Sequence, residues 1–131
     1  MPLALHHVAL GAKDVATVAR FYADLFELRE LDRHHHEDGR LRSVWLELAG
    51  APTDDEPAAI LMVEQTDEPE RPVDMARGPF LLAFRLAKGE RAGFEERLAR
   101  RGIAIERRSA YSSYFRDPEG NRVAVSHHPV P

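Results

Sequence analysis

One arrangement of residues occurs twice along this chain, and it limits the fold more than any other feature. A strand-length apolar run, an amphipathic helix and three further strand-length runs fill residues 1–65, and the same succession fills 79–131. Displacing one copy by 74 residues lays Ala9 on Ala83, Leu10 on Phe84 and Ala12 on Leu86. Identity between the copies is weak, but the pattern holds. An internal repeat means that each copy is one supersecondary unit, with an apolar side that must be covered. The expected fold class is α+β: two βαβββ modules, 1–65 and 79–131, joined by a linker over 66–78, forming a cupped mixed sheet backed by helices.

In the first copy, residues 3–11 alternate, with Leu3, Leu5, His7 and Ala9 on one side and Val8 and Leu10 on the other, which predicts a strand. Asp14 is placed to cap a helix over 14–26, where Val15, Val18, Tyr22, Leu25 and Phe26 recur at helical spacing. A strand over 28–36 turns at Glu37-Asp38-Gly39 into another over 41–48. A loop rich in Pro and Asp, 49–58, precedes a short strand at 59–63. The second copy predicts a strand over 80–86 and a helix over 90–101 with Phe94 and Leu98 inward. That helix offers a Glu96–Arg100 pair and ends before Gly102. Strands at 103–105 and 111–115, a turn at Asp117-Pro118-Glu119-Gly120 and a closing strand at 122–126 complete it.

Composition removes several classes of function. The net charge of −4 argues against nucleic acid, which needs a basic face to neutralise phosphates. Without cysteine there is no disulfide, thiolate metal site or thiol nucleophile. No apolar run approaches the ~20 residues of a membrane helix, and MPLALHHVAL lacks a charged leader, so cytoplasmic residence is expected. The glycines form neither a dinucleotide fingerprint nor a phosphate loop, and no G-x-S-x-G elbow is present. Metal or acid–base chemistry is left to His, Asp, Glu and Tyr.

Three stretches, HHVAL with FYADLFEL (6–10 and 21–28), LLAFRL (81–86) and YFRDPEGNRVAV (114–125), resemble the vicinal oxygen chelate superfamily. It holds glyoxalase I, extradiol dioxygenases, and fosfomycin and bleomycin resistance proteins. The resemblance covers the whole chain, 1–131, as one such domain, and implies a homodimer. It also implies four strands that each offer one donor to a divalent metal. Carried over residue by residue, the first donor is His7, three before Leu10. The equivalents elsewhere fall at about Met62, at Leu81 and at Ala124. Leucine and alanine hold no lone pair for a cation. A slip of two residues keeps the same strand face and brings Glu64 in, so the metal candidates are His7 and Glu64.

Two functions follow from the resemblance. The first is a small-molecule binding protein without the usual metal and with no other cofactor. The alternative is a metal-dependent glyoxalase-like lyase, isomerase or dioxygenase with a site rebuilt around His7 and Glu64. The candidate ligand-binding residues are His7, Trp45, Met62, Glu64, Leu81, Arg85, Tyr114 and Ala124. Arg85 either pairs with Glu64 or holds an anionic group of the ligand, since a guanidinium on a largely buried face needs a partner. Trp45, Tyr111, Tyr114 and Phe115 suit the walls around an aromatic ligand, with Glu47 and Ser112 as further polar candidates. The run His34-His35-His36 adjoins a turn, which predicts a solvated hairpin tip. His127 and His128 precede Pro129-Val130-Pro131, which predicts a frayed tail.

Overall fold

The computed structural model describes residues 5–48, 59–68 and 81–131. The predicted loop 49–58, Leu3, Phe80 and all of the linker beyond Glu68 lie outside them. The chain divides into two compact units, Met1–Glu68 and Pro69–Pro131.

In the first unit, β1 (His7–Ala12) leads into helix α1 (Val15–Phe26), followed by β2 (Glu30–His35), β3 (Leu41–Glu47) and β4 (Ile60–Gln65). Asp14 caps α1 by accepting from the Thr17 amide at 3.1 Å and hydroxyl at 2.7 Å. Glu27 ends it in the left-handed region, and Leu28 donates back to the Ala23 carbonyl. The strand order is β1-β4-β3-β2, with β1 and β4 parallel and the other pairs antiparallel. Val15, Val18, Ala19, Tyr22 and Leu25 of α1 are buried, as are Val44, Leu46, Leu61 and Val63 of the sheet. Each large apolar side chain removed from water there contributes roughly 1.5–3 kcal/mol.

The second unit repeats the order. It contains β5 (Leu82–Arg85), a single 3₁₀ turn (Lys88–Glu90), α2 (Arg91–Arg100), β6 (Arg107–Arg108), β7 (Ser112–Arg116) and β8 (Arg122–Ser126). Its sheet runs β5-β8-β7-β6, again with one parallel pair, β5 with β8. Both units are thus βαβββ modules with the same topology. The β7–β8 turn is held by the Asp117 carboxylate, which accepts from the Glu119 amide (2.9 Å), the Asn121 amide (2.9 Å) and the Asn121 side chain (2.8 Å). Gly120 closes it at φ 86°, a conformation L side chains rarely adopt.

Three details depart from the sequence expectation. No strand forms at 103–105, because the Ile103 amide folds back to the Leu98 carbonyl to finish α2 and the ladder starts only at Arg107. Among the described residues the Glu96–Arg100 pair does not form; the acid in use is Glu95, bound by Arg91 and Arg108. Among the described residues the first strand starts at His7, and Leu5 and His6 are not part of it. No described helix is long and apolar enough to cross a membrane.

Candidate functional site

Pairing partners in a sheet project to the same side, so the register fixes what each face carries. In the first module, α1 covers the side of Val44, Leu46, Leu61 and Val63. The opposite face is built in rows. Ala9, Met62, Trp45 and Asp32 form one, and Gly11, Glu64, Ser43 and His34 the next. His7 and Ile60 stand one row beyond Ala9 and Met62. His7, Trp45, Met62 and Glu64 therefore share one face, as the alternation of the sequence requires. His7 and Glu64 are exposed, Met62 is buried, and Trp45 is half-buried. Trp45 donates its indole N–H to Ser43 Oγ at 2.8 Å.

The sequence reading missed His34. It is not at a solvated tip but on β2, its ring 4.8 Å from that of Trp45 and its Nε2 3.3 Å from Asp32 Oδ2. A register shift lies between His34 and His35, just before the strand ends. His6 and His7 bring their Nδ1 atoms to 2.9 Å. Glu47 is joined to Arg29 in an ion pair.

In the second module the face away from α2 carries Arg85, Ser126 and Ser112 in one row. Ala83, Ala124, Tyr114 and Arg107 form the next. Leu81, 40% exposed, precedes β5 on the same side. So Leu81, Arg85, Tyr114 and Ala124 also share a face. Arg85 is exposed, and among the described residues of its own module it makes no hydrogen bond or ion pair; the same is true of Glu64 within its own module. Arg107 lies over the Tyr114 ring, 5.7 Å from its centroid.

Two expectations for this module are corrected. Phe115 is no wall residue: it pairs with Val123 on the helix side, is 0% exposed, and meets Phe94 at 6.1 Å. His127 is not frayed. It is 5% exposed, its Nδ1 2.6 Å from the Val130 carbonyl and its Nε2 3.3 Å from Arg91 Nη1. Tyr111 lies against both tail imidazoles, at 5.8 Å from His127 and 5.0 Å from His128.

A divalent metal, which the resemblance implies, does not fit the donors among the described residues. In the register, Ile60 stands opposite His7 with Met62 next, and the second module offers Leu81 and Ala124. Glu64 stands four residues beyond the partner of His7, roughly 13 Å along the strand at about 3.3 Å per residue. Donors to one ion lie about 2.0–2.2 Å from its centre. Side chains rising in parallel from one sheet do not close that gap, so His7 and Glu64 are not a chelating pair from this face. Among the described residues no three His, Asp or Glu side chains gather.

Comparison with known proteins agrees with this architecture. Residues 4–125 match the signature of the Glyoxalase/Bleomycin resistance protein/Dioxygenase superfamily. No curated protein matches in sequence. Among solved structures, a lactoylglutathione lyase from Agrobacterium tumefaciens is similar at 22% identity and a TM-score of 0.69, over 97% of this chain and 95% of that one. A fosfomycin resistance protein from Listeria monocytogenes, complexed with Mn(II) and 1S,2S-dihydroxypropylphosphonic acid, aligns at 19% identity and a TM-score of 0.77, over 99% and 96%. A glyoxalase/dioxygenase from Nostoc punctiforme gives 20% and 0.71, over 96% and 91%. At these identities the likeness is one of fold.

Proposed function

The chain belongs to the Glyoxalase/Bleomycin resistance protein/Dioxygenase superfamily, and on that premise we propose that it is a small-molecule binding protein that works without the usual metal site. The observation that carries this reading is the composition of the outward sheet faces. Where the family resemblance places donors, this chain has Met62, Leu81 and Ala124, which are apolar, beside the aromatic Trp45 and Tyr114. Such surfaces take up an apolar or aromatic body, while a few polar groups fix its orientation. Such groups are His7 and Glu64 on the face of the first module and Arg85 on that of the second, all exposed. The alternative, a lyase, isomerase or dioxygenase with a metal rebuilt at His7 and Glu64, is disfavoured by their separation along the face. The protein is proposed to act as a homodimer, which sedimentation of the purified chain tests.

Metal analysis of untagged protein, paired with His7→Ala, separates the two readings. The expected result is no stoichiometric metal in either protein; a bound divalent ion lost in His7→Ala overturns the metal-free reading. Binding is then read from the thermal midpoint across aromatic and amphipathic compounds, because a ligand that favours the folded state raises it. No shift across a broad panel overturns the binding reading.

A further inference from the structure

The outward face of the second module has an excess of hydrogen-bond donors. Arg85 and Ser126 are register partners, and Ser112 pairs with Ser126 on the other side, so the three stand in a row across β5, β8 and β7. The two hydroxyls lie 2.8 Å apart. One of their two hydrogens joins them, and the other is left over. Ser126 Oγ already accepts from the Ser112 hydroxyl and from the His128 amide at 3.3 Å, so its acceptor capacity is engaged. Arg85 adds five N–H donors and no acceptor. No described residue of its own module answers it. Glu106, beside β6 at the other edge of the sheet, is held by Arg116, whose Nε lies 3.0 Å from each carboxylate oxygen.

The next row supplies a different chemistry. Ala83 is exposed, Ala124 beside it is buried, and the half-buried Tyr114 ring follows, with Arg107 over it. We infer that this face is a site for an organic oxyanion: a carboxylate or phosphonate bound by Arg85 and the Ser112–Ser126 hydroxyl pair, with a flat apolar body extending over the exposed Ala83 towards Tyr114. The inference rests on the small-molecule reading above and names its ligand class. A guanidinium presents a planar fork that matches two oxygens of such a group, and charge-assisted bonds are the strong ones. No metal takes part, and the anion replaces the acceptor that the row lacks.

The full chain, titrated with benzoate, phenylphosphonate and the neutral analogue benzamide, tests this by thermal midpoint and by amide NMR. Benzoate or phenylphosphonate is expected to raise the midpoint and to move the signals of Ala83, Ala124, Tyr114 and Ser126, whichever binds more tightly naming the headgroup. Benzamide is expected to bind at least about tenfold more weakly, and Arg85→Gln to weaken the anion by a similar factor, as the loss of a charged hydrogen bond implies. Arg85→Lys keeps the charge without the fork and is expected to fall between. Equal binding of benzamide and benzoate overturns the assignment, as does an unchanged affinity in a folded Arg85→Gln or signals that move only in β1–β4. In each of those cases a ligand still binds, so the small-molecule reading survives. If no compound of any charge binds, both readings fall together.

Discussion

Arg91 opens α2, yet its side chain serves the far side of the second module. Nε reaches Ser113 Oγ at 3.0 Å, Nη2 reaches the carbonyls of Ser109 (3.0 Å) and Ser112 (2.8 Å), and Nη1 reaches Ala110 O at 3.1 Å and His127 Nε2. One guanidinium therefore fixes the 109–112 loop and the chain after β8 to the start of a helix. Its side chain is 18% exposed, so water replaces these bonds poorly when they are lost. Arg91→Ala is expected to lower stability by about 1–3 kcal/mol, read as a fall in the urea midpoint. Arg91→Lys should recover only part of it, since an ammonium cannot fork to several carbonyls. An unshifted midpoint for Arg91→Ala would show that the loop is held by other means. None of this was visible in the sequence, where Arg91 is one of several arginines on a polar helix and His127 precedes a proline-bounded tail. The contacts join residues 18 to 36 positions apart, and no local pattern announces them.

At the scale of an element, β7 shows how far alternation carries. Tyr114 and Phe115 are adjacent aromatics on opposite sides of the sheet. The sequence places Tyr114 on the outward face, where the register has it, but it also groups Phe115 with the walls on aromatic character alone. Strict period two separates them, because Ser113 and Phe115 must share the side that Val123 and Val125 occupy on β8. Phe115→Ala is expected to cost about 3–5 kcal/mol and to broaden or abolish the thermal transition followed by circular dichroism. Tyr114→Ala, on a half-buried outward residue, should cost much less and should instead weaken ligand binding. Equal losses would mean that β7 is buried on both sides. The helices were legible for a simpler reason: α1 has its cap at Asp14, its apolar stripe and its end all encoded within 14 residues. The lack of a strand at 103–105 was not, because two isoleucines at spacing two look extended whether or not a neighbouring strand accepts them.

Across the whole molecule the repeat was the most readable feature, and the two modules share strand order, pairing sense and the position of Ala9 and Ala83 on the outward face. They differ in what binds each helix to its sheet. Module one relies on the apolar stripe of α1. Module two has a more polar helix, with Leu98 as its one fully buried residue, and adds a carboxylate: Glu95 accepts from Ser113 Oγ at 2.6 Å and from Arg108 Nε at 3.2 Å, with Arg91 at 3.4 Å. The Ser113 hydroxyl holds the Glu95 carboxyl below its ordinary value of 4.5; burial opposes it, and Arg108 and Arg91 add to the lowering. As pH falls through 4.5 the unfolded chain therefore takes up this proton first, so protonation favours unfolding. The stabilisation is complete above that pH and is lost on the way down through the lower folded value. Glu95→Gln, which keeps the shape but not the charge, is expected to lower the urea midpoint at neutral pH and to flatten its decline as pH falls below 4.5. NMR signals of α2 and β7 should report that decline, with those of α1 and β3 much less affected. Parallel pH profiles for the wild type and Glu95→Gln would place the acid sensitivity elsewhere, and the second module would then owe its helix packing to Phe94 and Leu98 alone.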